Sequence, residues 1–330
     1  MTLTADFAQR LDAVTQLFGD DADRVDRADH VPASHFDALA DLGLYGVFAP
    51  IDVGGLGFEV AELAEVVETL ASGCLASTFV WIQHLRLLGA MLTPATPAPL
   101  REHLPEVIRG AMRGGVALGG LLPGPARLRA TTVEGGWTLE GHAPWVSGWG
   151  LVNTLFVAAR GPDDTVVTCL LPAREQTGLS ATRWTLSALN ASATVRLDFS
   201  SLLVSDDVVV ARVPYDPASE SAEGLRVNGS LALGLTRRCC TLLGPSPLDE
   251  QLMRCRENLD RADANSMAAA RAGASELAVR AAHALAVHRG SSSVVVGDVA
   301  ERCQREAALL LTFGSRPAIR SSLLERFEAP

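Results

Sequence analysis

Residues 130–148 read ATTVEGGWTLEGHAPWVSG. The period of the chain changes in this stretch. Apolar and polar residues alternate through it, and Gly135 and Gly136 break it where a hairpin would turn, the pattern of strands with one buried face. Two similar runs follow, TLFVAARGPDDTVVTCLLP (154–172), which turns at GPDD, and SATVRLDFSSLLVSDDVVV (192–210), which adds two more strands. On both sides the pattern is helical. Upstream, SHFDALADLGLYGVF (34–48) spaces Phe36, Leu39, Leu42 and Leu44 near helical intervals behind Ser34 as a cap, and Thr4 caps an earlier helix. AELAEVVETLASGC (61–74) has the same character, and Pro50 with three glycines makes a turn between them. Downstream, residues 225–243 form one apolar helix. Residues 247–290 form a helical hairpin or one broken helix closing at Gly290. Residues 297–313 form another helix, with Asp298 as its cap.

The expected architecture is therefore multi-domain α+β: an N-terminal α-helical domain (1–112), a middle antiparallel β domain, a small barrel or sandwich (113–214), and a C-terminal α-helical bundle (215–330). The length of 330 residues agrees with two or three domains. Net charge is −10 and all 28 basic residues are arginine, dispersed along the chain, which disfavours nucleic acid and acidic membrane surfaces as partners. The first residues lack the basic-then-apolar pattern of a leader, and no apolar run reaches the roughly 18 to 20 residues of a membrane span. Six cysteines without CxxC pairs fit a reducing, cytoplasmic setting.

Motifs for phosphate loops, zinc proteases and nucleophile elbows are absent. GGLGFE lacks dinucleotide-binding spacing, and His283 and His288 are five apart, the wrong interval for one helical metal face, so no metal is expected. One stretch stands out. HAPWVSGWG (142–150) holds two of the five tryptophans, Trp145 and Trp149, around Ser147 and Gly148. From the residues alone it either packs a sheet corner or walls a flat ligand.

Four strings in order resemble the acyl-CoA dehydrogenase family over nearly the whole chain. They are DALADLGLYGVFAPIDVGGLGFEVAELAEVVETLASGCLASTFVWIQH, GWTLEGHAPWVSGWGLVNTLFVAAR, ALNASATVRLDFSSLLVSDDVVV and CQREAALLLTFGSRPAIRSSLLERF. The resemblance implies helical, β-barrel and helical-bundle domains with FAD between the last two. It puts Trp145 beside the flavin ring and the Ser147 hydroxyl at its N5 edge. Leu121, in LLPGPAR, falls where the family has a threonine at the pyrimidine edge. Gly314 takes the position of the usual catalytic Glu, with Ser315 and Arg316 after it. Glu223 is then the candidate base near the start of the first C-terminal helix, or a solvated acid. Arg226 resembles an arginine near the CoA site. The family's Q..GG before the last loop appears as AVHRG, keeping Gly290 and offering Arg289, which is either a phosphate partner or a surface charge. The family's R..FG has no counterpart.

The resemblance thus implies α,β-dehydrogenation of an acyl-CoA or other acyl thioester, with an electron acceptor, in a homo-oligomer, here a dimer. Two further readings remain open on the same fold. One is a flavin-dependent monooxygenase using oxygen, which the missing Glu favours. The other is a non-catalytic homologue serving as a subunit or scaffold.

Overall fold

The computed structural model describes residues 3–216, 222–314 and 316–328. The amino-terminal helices are α1 (Ala5–Asp26), α2 (Ala33–Asp41), α3 (Val60–Gly73), α4 (Leu75–Leu92), α5 (Ala98–Arg101) and α6 (Leu104–Ile108). Thr4 caps α1 as its sequence position suggests, accepting from the Phe7 N–H at 3.3 Å. Ser34 does not cap α2. That helix begins one residue earlier behind Pro32, whose fixed φ presets the entry without a side-chain hydrogen bond. The sharp turn before α3 needs Gly55, because a Cβ there would stand 2.0 Å from the Ala49 carbonyl oxygen.

The β domain holds β1 (Gly114–Ala117), β2 (Leu128–Val133), β3 (Gly136–Val146), β4 (Thr154–Arg160), β5 (Thr165–Pro172), β6 (Leu179–Arg183), β7 (Val195–Ser205) and β8 (Val209–Pro214). They form one sheet in the order β6-β7-β3-β2-β4-β5-β8, with β1 alongside β4. Two expectations are corrected here. The sheet is not a closed barrel, since β6 and β8 are its free ends. Nor is it wholly antiparallel, because β1 and β2 both pair parallel with β4. β1 and β6, at four and five residues, are too short to carry a legible alternation. One face of the sheet closes over Leu139, Val157, Leu197 and Phe199. The other, through Leu170 and Val210, packs on Leu87, Leu88 and Met91 of α4 and on Val107 and Ile108 of α6.

The C-terminal helices are α7 (Ala222–Leu243), α8 (Pro247–Arg261), α9 (Met267–Arg289), α10 (Val299–Thr312) and α11 (Pro317–Glu328). α8 and α9 are the two arms of the expected hairpin, α9 ends at Gly290 with φ +68°, and Asp298 caps α10 through the Ala300 N–H at 2.8 Å. The first and last domains share one apolar core, in which α3 and α7 are close neighbours. A Cβ on Gly234 of α7 would sit 2.5 Å from the Glu68 carbonyl oxygen and 2.6 Å from the Ala71 Cβ. Gly234→Ala should therefore push these helices apart and cost about 1–3 kcal/mol, measured by chemical denaturation. α4 is long and apolar enough to cross a membrane by length and composition, unlike the reading of the bare sequence. With 67% of it buried inside the protein, it is a core helix.

Candidate functional site

β3 carries the distinctive stretch to its end. Its pairing with β7 slips between Ala143 and Val146, a bulge that leaves Pro144 and Trp145 out of register. Trp145 takes φ +61°, a left-handed conformation that costs a side-chain-bearing residue of order 1–3 kcal/mol. The turn presents its indole outward, 61% exposed, edge-on to the Trp184 ring at 4.1 Å. A large apolar ring held outward by a strained backbone is poorly explained as sheet packing. Its exposed part is an aromatic face open to a flat partner.

Behind this ring lies a chain of buried hydroxyls. Ser147 Oγ is 2.8 Å from Thr194 Oγ1, which is 2.8 Å from Ser192 Oγ. Backbone bonds fix the frame: Gly148 N–H donates to Ser192 O at 2.7 Å, and Trp184 N–H to Thr194 O at 3.1 Å. Gly148 adopts φ +89° where the turn meets Val80 of α4, so close that a Cβ would be 3.3 Å from a Val80 methyl. The β6–β7 loop is tied to both helical domains by Arg305 of α10, which donates to Ser187 O at 2.6 Å and to Asp26 of α1 at 2.6 Å. Sequence reasoning singled out neither Thr194 nor Ser192 as site residues, although both lie in the family-like string ALNASATVRL. Trp184 carried no signal.

A second cluster joins residues far apart in sequence. Arg316, just before α11, donates through Nη1 to the Leu121 carbonyl oxygen at 3.3 Å. The loop at the expected pyrimidine edge and the loop at the expected base position therefore touch. Beside them the Arg160 guanidinium lies 3.2 Å over the Tyr215 ring and donates through Nε to Gly120 O at 2.9 Å. Its Nη2 and the Tyr215 Oη are buried without a hydrogen-bond partner. At the base position itself Gly314 has φ +60° and no atom within 4 Å of where a Cβ would be. Phe313 before it meets Phe79 of α4 edge-on at 4.7 Å.

The remaining candidates are dispersed. Glu223 is exposed in the first turn of α7, while Ser315 lies outside the described residues. Arg226 is buried and committed within the bundle, with Nε to Asp260 Oδ1 at 2.7 Å and Nη1 to Ser230 Oγ at 2.8 Å. Arg289 is held by Asp298, 2.7 Å through Nη2, next to Gly290. Trp149 lines a different feature, a half-open cleft of about 140 Å³ with His30, Glu175 and Arg183.

The residues present fit the ring of a flavin. The three hydroxyls own three protons, and the two bonds among them use two. One donor is left for an outside acceptor, beside an exposed indole that can cover an aromatic face. Fit at the phosphate end is poorer, because Arg289 is already paired.

Residues 10–111 match the model of the acyl-CoA dehydrogenase N-terminal domain. The chain is 30% identical over 244 residues to L-evernosamine nitrososynthase of a Micromonospora strain, covering 70% of this chain and 55% of that protein. It spans about half the length of the curated relatives it matches. Among solved structures it superposes on a glutaryl-CoA dehydrogenase of Mycobacterium smegmatis in complex with FADH2, with TM-score 0.81, 16% identity, and coverage of 99% of this chain and 96% of that one. It also superposes on the dibenzothiophene monooxygenase TdsC of a Paenibacillus strain, with TM-score 0.77, 17% identity, and coverage of 98% and 97%. Residues 10–111 therefore form an acyl-CoA dehydrogenase N-terminal domain, and the whole chain has the three-part fold shared by that dehydrogenase and that flavin monooxygenase.

Proposed function

We propose that the chain is a flavin-dependent oxidoreductase of the monooxygenase type, with FAD as its flavin. The observation that carries this reading is Gly314. Where a dehydrogenase of this family needs a carboxylate over the substrate α-carbon, this chain has a residue with no side chain, in a left-handed conformation and with open space beside it. Glu223, the substitute base, is solvent-exposed on its helix. Arg226, the candidate for an acyl-CoA carrier, is already neutralised by Asp260. Oxygen insertion requires no α-proton base. A bound reduced flavin would supply two of the four electrons that O2 takes up and the substrate the other two, so that one oxygen atom would enter the substrate and the other would leave as water.

In this reading Trp145 would cover the ring and Ser147 would donate to it, with Leu121, held by Arg316, at the pyrimidine edge that the resemblance implies. Electrons come from a separate reductase or a reduced nicotinamide. The test is turnover of reduced flavin by the full chain under oxygen and under nitrogen, with acyl-CoA thioesters in parallel. Oxygen-dependent product and no anaerobic bleaching by acyl-CoA are expected, and Glu223→Gln should leave the rate unchanged. Anaerobic bleaching that Glu223→Gln abolishes would establish the dehydrogenase instead. Absence of flavin binding would leave a non-catalytic subunit.

A further inference from the structure

We infer that Thr194, backed by Ser192, is a positioning residue that aims the Ser147 hydroxyl proton at an acceptor atom of the flavin ring; the inference rests on the flavin reading above. Ser192, Thr194 and Ser147 are 0%, 3% and 4% exposed, so water reaches none of them freely. Each hydroxyl carries one proton and accepts through two lone pairs. Thr194 Oγ1 is the middle member, with one serine oxygen at 2.8 Å on either side. The third proton therefore leaves from Ser192, from Thr194 or from Ser147.

An unpaired buried donor is costly, and none of the three makes another side-chain hydrogen bond among the described residues. Ser147 is the member two residues from the outward-facing Trp145 and at the end of its strand, where a ring resting on that indole would meet it. The polarity that serves a ligand runs from Ser192 to Thr194, from Thr194 to Ser147, and from Ser147 outward. Thr194 enforces it by filling a Ser147 lone pair, which turns the Ser147 proton away from the protein. Without Thr194 the Ser147 hydroxyl is free to rotate. Thr194 touches no flavin atom in this arrangement and acts only through Ser147.

A double-mutant cycle on FAD affinity, read by titration of the full chain, separates this role from general support of the loop. Thr194→Val should weaken FAD about tenfold, the loss of one oriented hydrogen bond. Thr194→Ser should restore wild-type affinity. In a Ser147→Ala background Thr194→Val should change nothing further, since residues acting in series are non-additive. The visible absorption band of bound flavin should move alike in Thr194→Val and Ser147→Ala. Should Thr194→Val not fold, Ser192→Ala takes its place in the cycle, with a smaller loss that also vanishes beside Ser147→Ala. Additive losses, or wild-type affinity and an unmoved band in Thr194→Val, overturn the inference while leaving the flavin reading intact. A wild-type chain that binds no FAD overturns both.

Discussion

Arg238→Met should destabilise the protein by about 3–5 kcal/mol, the cost of removing one partner from a buried ion pair. Arg238 on α7 is buried and makes four contacts at once. It donates to Glu306 of α10 at 2.9 Å and to the carbonyl oxygens of Ala71, Ser72 and Gly73 at 3.0, 2.8 and 2.8 Å. Those carbonyls are the open end of α3, which has no further turn to satisfy them. One guanidinium therefore caps α3 and binds the first helical domain to the last. Methionine fills much of the volume but leaves a carboxylate and three carbonyls without a donor. The melting temperature should fall by roughly 10 °C. Adding Glu306→Leu should recover part of the loss by removing the orphaned charge, and a double variant no better than the single one would count against this account.

The second large effect is a loss of stability in mild acid. His84 is buried between Tyr45 and β1, with Nε2 donating to Tyr45 O at 3.1 Å and Nδ1 accepting from the Gly114 N–H at 3.1 Å. Both ring nitrogens are used in the neutral form, and Nδ1 has no room for a second proton. Burial pushes the pKa down from 6.5 to about 4. Burial also lowers His35, against the pull of Asp21 at 3.1 Å. The sign follows from where the protons go. Above pH 6.5 neither state is protonated at His84 and its contribution is complete. As pH falls from 6.5 toward 4, the unfolded chain takes up a proton that the native chain refuses, and stability declines. From pH 7 to pH 5 the loss from His84 is about 2 kcal/mol. Denaturation at several pH values should show this slope in the wild type and a shallower one in His84→Asn. Equal slopes would mean that His84 is not held neutral.

Much of the architecture was legible because it rests on local periodicity. The switch to alternation at residues 130–148 and the return to helical spacing at 225–243 mark the domains, and the caps Thr4 and Asp298 act through neighbours two or three residues away. What escaped depends on distant partners. The Arg238–Glu306 pair spans 68 positions and the Arg316–Leu121 contact 195, and no spacing rule reaches that far. Whether the sheet closes is decided by β6 and β8 failing to meet, which the alternation in either strand does not record.

The candidate site divides in the same way. Trp145 and Ser147 could be picked out as a concentration of unusual residues, but the conformation that turns Trp145 outward comes from a register slip against β7. Arg226 and Arg289 were legible as candidate ligand contacts, and their partners Asp260 and Asp298 emerge from the folded bundle.

The most direct measurement is an equilibrium titration of the full chain with FAD and, in parallel, FMN, comparing wild type with Trp145→Ala. Trp145 is exposed, so its removal leaves the core intact. The account predicts that the wild type binds FAD with quenching of tryptophan fluorescence and that Trp145→Ala weakens binding about tenfold. A wild type that binds neither flavin, or a Trp145→Ala variant that binds as tightly as the wild type, would contradict it.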